Sequence, residues 1–453
     1  MFEGKRIHLI GIGGISMSSI AIMLLNENVV VTGSDINESD LTRSLENKGI
    51  KIMYGHHEEM IDNADIIVYT AAVKEDDPEL SKARSLNKEC YERSEFLGKL
   101  SLSYKNRLCI SGTHGKSTTT GMLSLIFLEA NLNPTIQVGA MLKEINGNTF
   151  LGSMDYLIME SCEYTDSFLD FYPTGAIVTN IDNDHLDYFK NLDNIKKSFN
   201  KFVNLVPENG FLVKNNDDIN SINVENGFKG KLITYAVNNE ANYMAKNITK
   251  NELGFYSYDL YKDNQFLVRI NLSINGKHNI YNSLAAFALS NQYIDDINVI
   301  AKALNKYKGV GRRFEYLGKV NGAYVIDDYA HHPSEIKTTL ESVKEVKHNK
   351  NYAIFEGHTY SRVKEHIDNF ADVLSGFDNI IVTPIYAARE VNTFNISEED
   401  IVKRIKEKNP NVIYLDSYDK IIDFIKANAK ENDLVITIGA GNVTKIAHKL
   451  IEG

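Results

Sequence analysis

Cysteine is scarce, 3 in 453 residues, and none forms a CxxC pair. The odd, widely spaced set of Cys90, Cys109 and Cys162 builds no disulfide framework and reads as reduced thiols of a cytoplasmic protein. Cys162 alone lies near candidate chemistry, and it reads as a small packing residue. Proline is rare too, at 7 residues. With no Pro-rich linker, low-complexity tract or short repeat, the domain joints are expected to be tight turns. No apolar run approaches ~18 residues, so membrane insertion is not expected. Glycines break the apolar N-terminal stretch and no small-residue cleavage site follows, so no secretory signal is expected. Cationic excess is also missing: 49 Lys and Arg against 60 Asp and Glu leave a formal charge of −11. That balance disfavours nucleic acid as a partner, because phosphate neutralisation needs clustered cations.

The chain does have the length for about three domains. Short β-branched runs alternate with helical stretches, the pattern of parallel sheets with crossover helices. Strands are predicted at 6–10, 29–32 and 66–69 in a first unit, then at 156–159 and 176–179 in a second. A third unit has them at 323–326, 352–355, 380–383, 412–415 and 434–438. Residues 210–275, rich in Asn, Gly, Tyr and Lys, read as an antiparallel β excursion. The fold class is α/β with three domains: 1–105 Rossmann-like, 106–312 of P-loop ATPase type with the β excursion, and 313–453 again Rossmann-like.

Two glycine loops follow strands. "ISGTHGKSTTT" (110–120) has Gly112-x-x-Gly115-Lys116-Ser117, a compact variant of a phosphate loop with Ile110 where the usual spacing has another glycine. Backbone N–H groups there cradle phosphate oxygens, Lys116 reaches the β/γ-phosphates, and the Ser117 or Thr118 hydroxyl faces a metal. "HLIGIGGISMSS" (8–19) clusters Gly11, Gly13 and Gly14, but Ser16 stands where a dinucleotide fingerprint has its third glycine. With Asp35 near the position of a ribose-binding acid, nicotinamide and some other diphosphate stay open as ligands.

Polar clusters follow the neighbouring strands. "DYLIMESCEYTDSF" ends a strand at Glu160, a candidate Mg²⁺ ligand, with Glu163 three residues on. "VTNIDNDHLDYF" crowds Asn180, Asp182, Asp184, His185 and Asp187 at the next strand exit. "GVGRRFE" offers Arg312 and Arg313 where the second unit gives way to the third, suited to phosphoryl charge. "IDDYAHHPSEI", "FEGHTYSR" and "ITIGAGNVTK" follow strands of the third unit and suggest one ligand edge.

In this order these motifs, with "GKHNIYNSLAA", resemble the Mur ligase family of ATP-dependent amide-bond ligases along essentially the whole chain. The resemblance implies ATP and Mg²⁺ as cofactors and UDP-N-acetylmuramate and L-alanine as small-molecule substrates, joined through an acyl phosphate in peptidoglycan precursor synthesis. It implies a monomer or homodimer in the cytoplasm. It assigns the first loop to a UDP-sugar: Gly11, Gly13, Gly14, Ser16, Met17 and Ser18, with Asp35, His56 and Thr70 around the uridine or sugar. ATP falls to Gly112, Thr113, His114, Gly115, Lys116, Ser117 and Thr118, with Asn279 and Asn282 near adenine, Arg312 at the phosphates and Asp328 at the ribose. The metal falls to Ser117, Glu160 and His185, and the amino acid to Tyr329, His358 and Arg362. Lys116, His185, Arg312 and His331 are the expected catalytic set, with His331 or His358 as base for the amine.

Departures from the family pattern are Glu356-Gly357-His358-Thr359-Tyr360 for Gln-Pro-His-Arg-Tyr, Ser161-Cys162 for Ala-Asp, and Asn442 for Asp. The missing Arg leaves Arg362 to anchor the alanine carboxylate. Sister ligases carry a carbamylated lysine near Asn200, and none is assigned here. A ligase adding a whole tripeptide to the same UDP-sugar is the alternative within the family. A nicotinamide oxidoreductase and a nucleotide-regulated binding protein are the alternatives outside it.

Overall fold

The computed structural model describes residues 2–70, 72–388 and 390–452, apart from the Asp187 side chain. Three sheets form, each built mainly of parallel strands. The first contains β1 (Arg6–Ile10), β2 (Val30–Asp35), β3 (Lys51–Tyr54), β4 (Ile66–Tyr69) and β5 (Glu89–Glu92), in the order β3-β2-β1-β4-β5. Its central strands are buried almost end to end, which is why they read as apolar runs. The chain reverses its winding between β1 and β4, so the loop after β1 opens at a switch point, where such sheets bind ligands.

The second sheet holds β6 (Asn106–Ser111), β7 (Pro134–Leu142), β8 (Gly147–Phe150), β9 (Ser153–Glu160), β10 (Gly175–Val178), β11 (Phe211–Asn215), β12 (Lys231–Ala236), β13 (Tyr243–Lys250), β14 (Phe255–Lys262) and β15 (Gln265–Asn275). Their order is β15-β14-β13-β12-β11-β10-β6-β9-β7-β8. The expected antiparallel excursion needs correction: β10 to β13 pair parallel, each with the next. Turns and a short 3₁₀ segment, Ile219–Ser221, take the place of a crossover helix between β11 and β12, so the sequence carried no crossover signal. Within 210–275, hairpin connections are confined to β13–β15. Between β14 and β15, Asp263 and Asn264 both adopt positive φ, the geometry of a two-residue type I′ turn.

The third sheet comprises β16 (Glu315–Val320), β17 (Ala323–Asp328), β18 (Asn351–Phe355), β19 (Asn379–Val382), β20 (Val412–Tyr414) and β21 (Leu434–Ile438), in the order β16-β17-β21-β18-β19-β20. Only the edge strand β16 runs antiparallel.

Contacts divide the chain into two compact units: 1–248 with 258–270 and 278–307, and 249–257 with 271–277 and 308–453. The first unit contains the first sheet whole, and one apolar core runs from Ile7 and Leu9 on β1 to Leu157 and Met159 on β9. Polar stitches join the two sheets. Asn148 on β8 donates to the Ile15 carbonyl and to Ser19 Oγ, at 3.0 and 3.1 Å, and Thr149 donates to the same Ser19 Oγ at 2.6 Å. Among the described residues, no helix is long and apolar enough to cross a membrane.

Candidate functional site

The loop after β1 is tied down from below. Gly11 and Ile12 N–H both donate to the Ser34 carbonyl, Gly13 N–H to Asp35 Oδ2 at 2.9 Å, and Gly14 N–H to the Gly11 carbonyl. Among the described residues, the backbone N–H groups of Ile15, Ser16 and Met17, which open the helix Ile15–Leu24, have no acceptor. That helix starts at an extended Gly14 with no side-chain cap and has no acid in its first turn. Uncapped donors at the positive end of a helix make an anion site. Glycine is required at two points. Gly11 has φ +79, and a Cβ on Gly13 would meet Asp35 Oδ2 at 2.8 Å.

The expected ligands of this loop divide by what they already hold. Asp35 accepts from Gly13 and Asn37 N–H, so its carboxylate braces the loop. Met17 is core, and the Ser18 hydroxyl donates to the Ile15 carbonyl. Thr70 packs its methyl where a Gly11 Cβ would go. His56 lies in a cluster with Asp77 and Glu79. Those acids are engaged: Asp77 caps the helix Pro78–Ser85, and Glu79 accepts from the Ser34 hydroxyl and His57 N–H. Arg93, which the sequence reading passed over, places Nη1 3.2 Å from Ser16 Oγ and so adds a guanidinium beside the open N–H groups. Its sequence context, the first residue of the helix Arg93–Ser101, carried no sign of this.

The loop between β6 and the helix Lys116–Glu129 is strapped to the exit of β10. Thr113 N–H donates to the Asn180 carbonyl, His114 N–H to Asn180 Oδ1, and Asp182 N–H to Thr113 Oγ1. The amides of Thr113 and His114 are therefore spent on the fold. Among the described residues, those of Gly115, Lys116, Ser117 and Thr118 have no backbone acceptor, and the helix they open has no side-chain cap. Cβ atoms at Gly112 or Gly115 would strike Thr179 Oγ1 at 1.9 Å or Asn282 Oδ1 at 2.5 Å. Asn282 therefore lies directly under the loop, hydrogen-bonded to buried Asn279.

Lys116 Nζ donates to the carbonyls of Gly112 and Thr113 and lies 2.9 Å from Glu163 Oε2. Glu163, Asp184 and His185 bring ligand atoms within 4.8 Å of one another. Two carboxylates and an imidazole suit a divalent cation, with the carboxylates the natural partners of a hard one. Glu160, expected beside His185, is not in this cluster. It ends β9 with Oε2 accepting from Gly139 N–H on β7, and the chain reaches the lysine only at Glu163.

In the third sheet, Arg312 is turned inward. Its Nε donates to Asp327 at 2.9 Å, Nη1 and Nη2 reach the carbonyls of Ala440, Gly441 and Gly439, and Tyr329 stacks on the guanidinium. Without a nucleotide bound, every nitrogen of the Arg312 fork is therefore engaged within the third sheet. Arg313, half exposed and 4.0 Å from Glu335, is the available arginine of the pair. Asp328 likewise points inward and accepts from Ala330 N–H, Phe314 N–H and the Thr339 hydroxyl, while burial pushes its carboxyl up to about 6. Glu356, at a departure from the family pattern, supports the glycine turn by accepting from Val443 N–H and the Tyr418 hydroxyl. Tyr329, His331, His358 and Arg362 do come together: the His331 ring centroid lies 5.4 Å from that of Tyr329 and 5.7 Å from that of His358, and Arg362 Nη1 lies 3.1 Å from His358 Nδ1.

The chain matches known proteins along its length. Residues 6–105 match the Mur ligase family catalytic domain, 110–290 the Mur ligase middle domain and 312–441 the Mur ligase glutamate ligase domain. The UDP-N-acetylmuramate–L-alanine ligase of Caldanaerobacter subterraneus subsp. tengcongensis is 45% identical over 99% of this chain and 97% of its own. The crystal structure of the UDP-N-acetylmuramate–alanine ligase of Thermotoga maritima superposes with TM-score 0.81 at 27% identity, covering 99% of this chain and 98% of that one. A murein peptide ligase from Psychrobacter arcticus shares the fold, with TM-score 0.68 at 24% identity over 99% and 98% of the two chains. With family models matched along nearly its whole length and 45% identity to a member over 99% of the chain, the chain belongs to the Mur ligase family.

Proposed function

We propose that the chain joins L-alanine to the lactyl carboxylate of UDP-N-acetylmuramate, converting ATP to ADP and phosphate. The observation that carries this reading is the 45% identity with an enzyme of that name over 99% of the chain. In this reading residues 1–105 hold the UDP-sugar on the Ile15–Met17 amides with Arg93. Residues 106–312 hold ATP on the Gly115–Thr118 amides with Lys116, and 313–453 receive the amino acid at Tyr329, His358 and Arg362.

The carboxylate attacks the γ-phosphorus, the bond to the β-phosphate oxygen breaks, and ADP leaves. The amine then displaces phosphate from the acyl carbon. Carboxylate is a poor acyl donor, and phosphorylation gives it a leaving group. The protein's work is alignment and charge neutralisation. Lys116 supplies a mobile cation to the phosphates. Arg313, in place of Arg312, supplies a second. Mg²⁺, when bound, would neutralise phosphoryl charge, and Glu163, Asp184 and His185, with Glu160 at the end of β9 and the Ser117 hydroxyl next to Lys116, are the residues that would hold it.

The test is phosphate release with product mass from ATP, Mg²⁺, UDP-N-acetylmuramate and each amino acid in turn. Alanine-dependent release with a product heavier by one alanyl residue is expected. Release with a tripeptide and none with alanine would replace the reading with the tripeptide-adding one.

A further inference from the structure

We propose that His331, oriented by Glu335, is the base that takes the first proton from the incoming amino acid's ammonium group; this rests on the ligation reading above. The two candidate histidines differ in which ring nitrogen is free. His331 Nδ1 lies 3.0 Å from the Tyr329 carbonyl and 3.4 Å from Glu335 Oε2. Both neighbours are acceptors, so Nδ1 carries the proton and the lone pair of the neutral ring is at Nε2. No group among the described residues hydrogen-bonds to that Nε2, and the ring is partly exposed. Glu335 is itself held by the backbone. Its Oε2 accepts from His331 and His332 N–H, at 2.9 and 3.1 Å, closing a capping box at the head of the helix Pro333–Glu345. The Tyr329 carbonyl takes the Nδ1 hydrogen and fixes the tautomer, and the Glu335 carboxylate at 3.4 Å stabilises the imidazolium once formed, which is the supporting role in a base dyad.

His358 has the opposite polarity. Arg362 donates to its Nδ1, so Nδ1 holds the accepting lone pair and Nε2 carries the hydrogen. Burial first, then Arg362 and His331, hold its pKa below the ordinary histidine range. It is a donor, suited to an anionic oxygen. The other charged or titratable groups around His331 are Arg313, 4.0 Å from Glu335; Tyr329, edge-on to the ring; and His332, which is engaged with Ser334 and with His366.

The ammonium gives one proton to His331 Nε2, and the freed lone pair forms the C–N bond at the acyl carbon. The C–O bond to phosphate breaks with its electron pair, the second nitrogen proton leaves with the phosphate, and His331 releases its proton to water.

Hydroxylamine separates this step from acyl phosphate formation, because it is already neutral near pH 7 and needs no base. With ATP, Mg²⁺ and UDP-N-acetylmuramate, His331→Gln is expected to form hydroxamate within about threefold of the unsubstituted chain. Its alanine ligation at pH 7 should fall by about 10²-fold or more and recover at least about tenfold toward pH 9.5, where alanine sheds its own proton. Glu335→Gln keeps an acceptor for the helix cap, should lower the alanine-dependent rate about tenfold, and should move the acid limb of its pH profile. Equal loss of hydroxamate and alanine product, a deficit unchanged with pH, or a rise confined to the alanine KM would overturn the assignment. If the unsubstituted chain gives neither product, the ligation reading fails instead.

Discussion

Lys116 and Glu163 form an ion pair at 2.9 Å in which the carboxylate side chain is 2% exposed. The remaining ammonium protons go to carbonyls of the lysine's own loop. The resting lysine is thus folded back, and a triphosphate has to draw it away. Lys116→Ala is expected to abolish ADP release and spare UDP-sugar binding. It should also cost ~3 kcal/mol in urea unfolding, because a buried carboxylate is left alone. The double substitution Lys116→Met with Glu163→Gln should recover most of that stability and none of the turnover. Persistent ATP hydrolysis in Lys116→Ala would remove the phosphate-loop assignment.

The arginine pair separates structure from chemistry. Arg312→Lys cannot reach Asp327 and the three turn carbonyls together, so a loss of ~2 kcal/mol in thermal or urea unfolding is expected. Arg313→Ala should unfold within ~0.5 kcal/mol of the parent and lose kcat by about 10²-fold. The reverse pattern would return the phosphate role to Arg312.

Gly13→Ala places a methyl 2.8 Å from Asp35 Oδ2 and 2.9 Å from Thr42 Cγ2. The loop must shift to relieve this. Calorimetry should show UDP-sugar affinity lowered by about tenfold or more with ATP affinity unchanged. An equal loss of both would mean that the damage spreads beyond the first loop.

Much of this was legible in the residues. β1, β4 and β21 were read to within a residue, because strands buried on both faces are unbroken apolar runs bounded by polar or glycine turns. The two glycine loops were legible for the same local reason. β7 and β8 were not, since one begins at Pro134 and contains Gly139, and the other is four residues long. The inward turn of Arg312 was equally hidden, because Gly439 to Gly441 lie far along the chain. Glu335 looked like an ordinary helix cap, and it is one; its second partner, the His331 ring, depends on how the preceding turn folds.

His8, on β1, is buried with Nε2 lacking a partner among the described residues, and burial with a smaller effect of His57 lowers its pKa to about 4. A histidine depressed in the folded state contributes stability above its ordinary value near 6.5, and loses it as pH falls toward 4. Unfolding free energy should therefore drop by up to ~3 kcal/mol between those limits from this group. In His8→Val that portion of the acid slope should vanish; an identical slope would assign the acid sensitivity elsewhere.

Ser19 belongs to the helix that begins at the sugar loop, yet it is clasped by Asn148 and Thr149 from a strand of the neighbouring sheet. The first hundred residues are therefore not a cassette to be exchanged freely among related ligases. A chimaera that imports a foreign helix without a hydroxyl at this position would strand a buried Asn148 amide and loosen the seam beneath the loop, so grafted specificity has to bring both sides of the seam with it.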